Sequence, residues 1–229
     1  MDMILSSRLR DVATFVPTGS KLLDVGSDHA YLPIALIKAG IISSAIAGEV
    51  VRGPYDSAVK NVADYGLSSQ IEVRLANGLA AFEARDAVTA ISICGMGGRL
   101  IADILEAGKE KLMSVERLIL QPNNREDDLR HWLSENGFTI VAEKIMTENG
   151  KFYEILVAEH GWDNVTERDL RFGKHLATEK SEVFISKWQR EIGKLEVALA
   201  QIPESNEHDR SAISKKIDTI KEVLYGSGA

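Results

Sequence analysis

The chain has 229 residues, 45% of them apolar, a formal net charge of −7 and one cysteine, Cys94. That length holds one full α/β domain with a smaller appendage, while a lone cysteine excludes a disulfide framework and a cysteine-rich zinc site. No run approaches the roughly 20 apolar residues of a membrane span, and the opening MDMILSSRLRDVATF lacks the apolar core of a secretory leader, so the expected location is the cytoplasm, without a membrane partner.

From residue 21, β-rich runs alternate with helical patterns. The runs are KLLDVG (21–26), SAIAGEV (44–50), IEVRLA (71–76), TAISICG (89–95) and RLILQP (117–122). Between and after them lie YLPIALIKAG (31–40), PYDSAVKNVADYGL (54–67), GRLIADILEAG (98–108) and REDDLRHWLSENG (125–137), each with apolar residues at helical spacing and most closing on or beside a glycine. Alternation of this kind predicts βαβ units and a parallel sheet. FTIVAEKIMTENGKFYEILVAEHG (138–161) then reads as two strands joined through Asn149-Gly150, a hairpin signal. An ordinary dinucleotide-binding fold would offer another crossover helix here. From about residue 166, Leu170, Leu176, Phe184, Trp188, Ile192, Leu195, Leu199 and Ile202 recur mostly at spacings of three and four. After the PESNEHD break, Ile213, Ile217, Ile220 and Leu224 continue the pattern, predicting two antiparallel helices with a coiled-coil-like seam.

The acidic balance argues against nucleic acid, whose phosphates are neutralised by Lys and Arg. Its distribution softens that argument: residues 166–229 carry 11 basic and 11 acidic side chains, and residues 1–165 carry 16 against 23.

In an open parallel sheet, ligands sit outside the carboxyl ends of the strands, so the residues after each strand carry the chemistry. The first such loop is Asp24-Val25-Gly26-Ser27-Asp28-His29, a GxDHA pattern rather than GxGxxG. Gly26 lets the backbone approach a ligand, but Asp28 would repel a pyrophosphate at the following helix start. A cationic or zwitterionic ligand tolerates it. The alternatives are a helix-capping role for Asp28 and a packed imidazole for His29.

Glu49 ends the second strand 25 positions beyond Asp24, near the roughly 20 at which an acid meets ribose hydroxyls in nucleotide-binding folds. Asn77-Gly78 after the third strand offers either a contact to an adenine edge or a simple turn. Ile93-Cys94-Gly95-Met96-Gly97-Gly98 places three glycines within four residues, open to a ligand or base. Gln121-Pro122-Asn123-Asn124 supplies amides suited to a nucleobase or to capping the next helix. Cys94 lies in an apolar strand, where a thiol is usually a small hydrophobe. The five histidines show no metal-ligand spacing, so no metal is expected, and Gly-x-Ser-x-Gly is absent.

GSDHAYLP (26–33), AGEV (47–50), ICGMGG (93–98), LILQPN (118–123) and GKFYEILVAE (150–159) together resemble the bacterial tRNA adenine-N1-methyltransferases that modify position 22 of tRNA. The resemblance covers about residues 1–160, LSSRL near the N-terminus included, and the tail matches the family's helical C-terminal domain in pattern only. It implies an α/β class: a class I, Rossmann-like methyltransferase sheet with an antiparallel edge hairpin over residues 1–162, and a helical hairpin over 163–229. It implies S-adenosylmethionine as cofactor, with Asp24, Gly26, Ser27 and His29 around its amino-acid half, Glu49 and Val50 at its ribose, Asn77 and Gly78 at its adenine, and Gly95 and Met96 beside the methyl donor. Arg8, Gly97, Gln121, Pro122 and Asn123 are the candidate substrate contacts, with Arg10 a further possibility.

Adenine N1 is largely unprotonated at neutral pH, so positioning supplies much of the catalysis. Because the product is cationic, Asp28 is the first candidate for electrostatic stabilisation, with His29 or Tyr31 orienting the base. The expected partner is tRNA, gripped by the helical tail unless that tail is a packing or dimerisation hairpin, and the chain is expected to be a monomer or weak homodimer. The rivals are a methyltransferase with another substrate, a silent cofactor-binding scaffold and, disfavoured by Asp28 and the edge hairpin, an NAD-dependent oxidoreductase.

Overall fold

The structure is a computed structural model that describes residues 5–226; the first four residues of the opening stretch lie outside the described residues. In chain order the elements are α1 (Ser7–Ala13), β1 (Lys21–Val25), α2 (Tyr31–Lys38), β2 (Ser44–Glu49), α3 (Arg52–Asp64), β3 (Ile71–Leu75), β4 (Ala90–Met96), α4 (Gly98–Ala107), β5 (Arg117–Pro122), α5 (Glu126–Glu135), β6 (Phe138–Glu148) and β7 (Lys151–His160). Four helices follow: α6 (Glu167–Phe172), α7 (Lys174–Glu179), α8 (Glu182–Gln201) and α9 (Glu207–Tyr225).

The strands form one seven-stranded sheet in the order β3-β2-β1-β4-β5-β7-β6. β1 to β5 are parallel, and β7 runs antiparallel to both β5 and β6. The α/β sheet and its edge hairpin are therefore as the sequence predicts. Alternation on β1 shows why both sheet faces are covered. Leu22 packs into one core with Leu32, Ile34 and Leu36 of α2 and Val62 of α3. Leu23, one residue on, packs into the other core with Ile101 and Leu105 of α4 and Leu129 and Leu133 of α5. Successive strand side chains point to opposite faces, so a strand buried on both reads as a continuous apolar run. At the hairpin turn, Asn149 and Gly150 both take positive φ, 51° and 72°, the backbone of a type I′ turn.

The chain divides into two compact units, one ending at Arg171 and the other starting at Phe172. Residues 161–166, after β7, form no regular element. In the second unit, Phe184 and Trp188 of α8 are buried, as are Ile217, Ile220 and Leu224 of α9. Gln189 donates to the Tyr225 hydroxyl at 3.1 Å, Lys221 lies 3.7 Å from Glu196, and Arg210 donates to the Ile202 carbonyl at 2.8 Å. Numbers rise on one helix as they fall on the other, so the pair is antiparallel. The short helices α6 and α7 are additions that the periodicity did not announce. No helix among the described residues is long and apolar enough to cross a membrane.

Candidate active site

Because β3, β2, β1, β4 and β5 are parallel neighbours, their carboxyl ends line one edge in the order Asn77, Glu49, Gly26, Gly95, Asn123. Strands lie about 4.8 Å apart, so the row from β3 to β4 spans about 14 Å. Strand order reverses between β1 and β4, where a crevice opens in sheets of this kind.

The loop after β1 is strained. Gly26 has φ 66°, and three consecutive non-glycine residues follow in the left-handed region: Asp28 at 39°, His29 at 69° and Ala30 at 58°. Each costs roughly 1–2 kcal/mol, so the surroundings must hold them. The Gly26 and Ser27 N–H groups donate to the Gly48 carbonyl at 2.9 and 3.2 Å. The Asp28 N–H donates to Glu49 Oε1 at 2.5 Å, and Asn61 Nδ2 donates to the His29 carbonyl at 3.0 Å. Strain of this sort collects in loops that grip ligands. Asp28 is not the cap of α2, since Ala30 occupies that position without a side-chain bond. Its carboxylate is instead 83% exposed, 3.4 Å from His29 Nε2. The His29 ring stacks on Tyr31 with centroids 5.3 Å apart.

Beneath this loop, Asp24 is buried and both carboxylate oxygens are occupied: Ser27 Oγ and Ser92 Oγ each donate to one at 2.6 Å. Burial, more than any neighbour, raises its pKa to about 6. Burial likewise raises Glu49 against the lowering effect of the Asp28 N–H. The Cys94 thiol is pushed up by desolvation, which keeps it protonated and unreactive.

A cavity of about 330 Å³ opens here. Asp24, Gly26, Ser27, Asp28 and Tyr31 wall it from the β1 side, and Cys94, Gly95 and Met96 from β4. Asn123 follows from β5, Arg8 and Leu9 from α1, and Tyr153 from β7. A Cβ on Gly26 would run into the Met96 methyl, so only a bare backbone leaves this space free. At Gly95 the β4–β5 register shifts and φ is 77°, a bulge that turns the loop over the cavity.

The structure thus brings together Arg8, Asp24, Gly26, Ser27, Asp28, Tyr31, Gly95, Met96 and Asn123. Glu49 stands behind the loop, bonded to it through the Asp28 N–H, and His29, part of the loop itself, stacks on Tyr31 rather than lining the cavity. Val50, 64% exposed, continues the row beyond Glu49. Asn77 and Gly78 line a separate groove of about 520 Å³ against Leu100 and Ile104 of α4. Gly97 packs beside Asn124, whose Oδ1 would stand 3.0 Å from a Cβ there. Arg10 is engaged with Ser7 Oγ at 2.9 Å.

Gln121 and Pro122, expected as substrate contacts, are buried and do not line the cavity. Gln121 is fully buried. Its Oε1 accepts from Gly95 N–H at 3.0 Å and from Arg8, and its Nε2 donates to the Pro122 carbonyl at 2.8 Å and to Asn123 Oδ1 at 3.2 Å. Both polar atoms of that amide are thus engaged, Oε1 tying β5 to the β4 loop and to α1 and Nε2 holding the turn that follows β5. Pro122 is buried in register with Met96.

Sequence reasoning missed Tyr153, Leu9 and Ser92. Tyr153 lies in the quoted GKFYEILVAE, but only the antiparallel placement of β7 beside β5 turns it towards the cavity. Ser92 had a signal: a polar residue inside an apolar strand needs a buried partner. Among the described residues, no group of three His, Cys, Asp or Glu side chains is arranged to hold a metal ion.

Comparison with known proteins gives a consistent picture. The family model for tRNA (adenine(22)-N(1))-methyltransferase matches residues 22–222. The tRNA (adenine(22)-N(1))-methyltransferase of Bacillus subtilis is 41% identical, over 97% of this chain and 98% of its own length. A Streptococcus pneumoniae protein solved in complex with S-adenosyl-L-methionine is 61% identical, with TM-score 0.91, covering 97% of this chain and 100% of that one. The M. capricolum relative, solved with the cofactor product S-adenosyl-homocysteine, is 28% identical with TM-score 0.85, covering 97% and 98%.

Proposed function

The chain belongs to the tRNA (adenine(22)-N(1))-methyltransferase family, and from that premise we propose how its strand-end cleft serves the reaction. The activity is S-adenosylmethionine-dependent methylation of N1 of adenine 22 in tRNA. One observation carries the reading onto this site: the wall of the cavity where the strand order reverses holds two carboxylates, Asp24 and Asp28, on either side of Gly26 and Ser27. A pyrophosphate would be repelled there, whereas a cationic sulfonium compound fits.

The residues present suit that cofactor. Asp24, Gly26 and Ser27 form the wall for its amino-acid end, Gly95 and Met96 the wall beside its reactive centre, and Glu49 with exposed Val50 the edge for its ribose. Asn77 and Gly78 stand at the far end of the row for its adenine. When bound, S-adenosylmethionine supplies an electrophilic methyl group to the N1 lone pair.

The chain's own side chains do the rest. The exposed Asp28 carboxylate, fixed through its backbone bond to Glu49, faces the positive charge that develops on the methylated base. The stacked His29 and Tyr31 rings offer a flat surface against which the extruded base is held; exposing it from the tRNA costs a few kcal/mol. Asn123, fixed to Gly95 and Met96 by 2.7 Å bonds, closes the opposite wall. Gly97 gives the base room at the β4 loop.

We divide the work between residues 1–162, which bind cofactor and base, and residues 163–229, whose helices grip the tRNA backbone. Exposed Lys215 and Lys216 on α9 supply charge for that grip. The chain acts in the cytoplasm, without a metal, as a monomer or weak dimer. The test uses two unmodified tRNA transcripts, one with adenine and one with guanine at position 22, and methyl-labelled S-adenosylmethionine. Label enters the first and not the second; equal labelling of both contradicts the reading.

A further inference from the structure

Three arginines at the carboxyl edge of the sheet have no part in that scheme. Each follows the end of a parallel strand: Arg52 opens α3 after β2, Arg99 is the second residue of α4 after β4, and Arg125 caps α5 after β5. All three are exposed. The dipole of a helix disfavours a cation at its start, so helix stability does not account for them. Arg125 also holds a left-handed backbone, φ 54°, and its side chain makes no capping bond. Among the described residues, no carboxylate lies within ion-pair distance of the Arg99 guanidinium. Arg52 and Arg125 are held only by near neighbours in the chain. Arg52 Nε donates to Asp56 at 3.0 Å, with its guanidinium 5.4 Å from the Tyr55 ring centroid. Arg125 lies 2.7 Å from Asp128 and 3.5 Å from Asp127.

The sheet order puts these cations on both sides of the site assigned to the base. β1, whose loop carries Asp28 and leads to Tyr31, lies between β2 and β4, with β5 beyond. Arg52 therefore stands on one flank, about one strand spacing of 4.8 Å from β1, and Arg99 and Arg125 on the other. The latter two leave adjoining backbones: the Gly98 N–H donates to the Asn124 carbonyl at 2.8 Å, one residue from each arginine. Along the edge the charge thus runs positive, negative, positive. A nucleotide turned out of an RNA strand is its complement, a phosphate on either side of a base that becomes cationic on methylation. We propose that Arg52 on one side, and Arg99 with Arg125 on the other, bind the two phosphates that flank adenine 22. The proposal rests on the methyltransferase reading and gives residues 1–165, with 16 basic against 23 acidic side chains, a hold of their own on tRNA. Exposed ion pairs such as Arg52–Asp56 contribute little, so a phosphate, which accepts two parallel bonds from a guanidinium, displaces the carboxylate. Arg99 has none to displace.

The test uses Arg52→Gln, Arg99→Gln and Arg125→Asn, the last because Asn tolerates the left-handed backbone, with Arg85→Gln as control. Arg85 is also exposed but precedes β4, at the amino end of that strand. Filter binding of tRNA is measured at several salt concentrations, and S-adenosyl-homocysteine affinity by calorimetry. Each of the three variants weakens tRNA about three- to tenfold and lowers the slope of log affinity against log salt by about one, the loss of one phosphate contact. S-adenosyl-homocysteine affinity changes by less than about twofold in each, and Arg85→Gln leaves both ligands within about twofold of the wild type. A tRNA with an uncharged methylphosphonate at one or other linkage flanking adenine 22 locates the contact: it binds the wild type more weakly, and each variant is insensitive to one of the two replacements. A variant of the three that behaves like Arg85→Gln overturns the proposal. So does one that loses S-adenosyl-homocysteine as far as tRNA, or one that stays sensitive to both methylphosphonates. Any of these with a wild type that methylates tRNA removes this proposal alone, whereas a wild type that binds no S-adenosyl-homocysteine removes the methyltransferase reading with it.

Discussion

Asp24 and Ser92 are register partners on the neighbouring parallel strands β1 and β4, and the Ser92 hydroxyl donates to the Asp24 carboxylate at 2.6 Å with both side chains buried. Ser27 satisfies the second oxygen from the following loop. The pair sits under the cavity at the point where the sheet reverses its strand order. It places a desolvated acid beneath the site assigned to a cationic ligand.

Asp24 should make cofactor binding proton-linked. Its carboxyl is raised from 3.8 to about 6, so its contribution to stability is fully present below pH 3.8 and is lost as pH rises through about 6. Asp24→Asn should therefore raise apoprotein stability at pH 7.5, by up to about 3 kcal/mol for a shift of some two units. A cationic ligand favours the ionised carboxylate, so binding near pH 6 should release a proton and weaken as pH falls further. Calorimetry in buffers of different ionisation enthalpy reads that release, and Asp24→Asn should abolish it.

Asp28 is assigned to the reacting base more than to the cofactor. Asn tolerates the left-handed backbone found at this position, so Asp28→Asn removes charge with little added strain. Turnover should fall roughly 10- to 100-fold while S-adenosyl-homocysteine affinity changes by less than about threefold. Single-turnover kinetics beside a binding titration separates the two effects, and equal losses would move Asp28 into cofactor binding.

Gly98, at the start of α4, packs directly against the backbone that follows β5, its N–H donating to the Asn124 carbonyl at 2.8 Å. A Cβ there would overlap the Arg125 carbonyl group and stand 3.0 Å from the Asn124 carbonyl oxygen, all backbone. Gly98→Ala should therefore cost about 2 kcal/mol or more, as overpacking does, and lower cofactor affinity by separating Gly95 from Asn123. Gly97→Ala meets only the Asn124 side chain and should be milder. Chemical denaturation of both variants compares them.

The helical unit should affect tRNA and not cofactor. Reversing charge at Lys215 and Lys216 together should raise the KM for tRNA and flatten its salt dependence by up to about two phosphate contacts, with S-adenosyl-homocysteine binding unchanged. Filter binding at several salt concentrations measures both quantities.

Much of this arrangement was readable because local and global patterns agree. Strands buried on both faces read as apolar runs, and Asn149-Gly150 could form only a tight turn of positive φ. Asp28, standing where a phosphate loop needs glycine, pointed to a different ligand before any geometry was available. Less readable were side chains whose role depends on distant partners. Helix α1 buries only Val12 within its length and owes its place to Glu148 and Lys144, more than 130 residues away. Gln121 has the composition of a base-reading amide, but the continuous burial of RLILQP conceals that its side chain points inward. Tyr153 reaches the cavity only because the hairpin folds back along β5.

The central claim is that the cofactor runs along the carboxyl edge from the Arg8–Asp24 cavity, past Glu49, to Asn77. A crystal structure of this chain with S-adenosyl-homocysteine tests it most directly. The account predicts the amino-acid end against Asp24, Gly26 and Ser27, the ribose hydroxyls on Glu49 and the adenine beside Asn77 and Gly78. A cofactor lying wholly in the α4 groove, or with its amino-acid end away from Asp24, would contradict it.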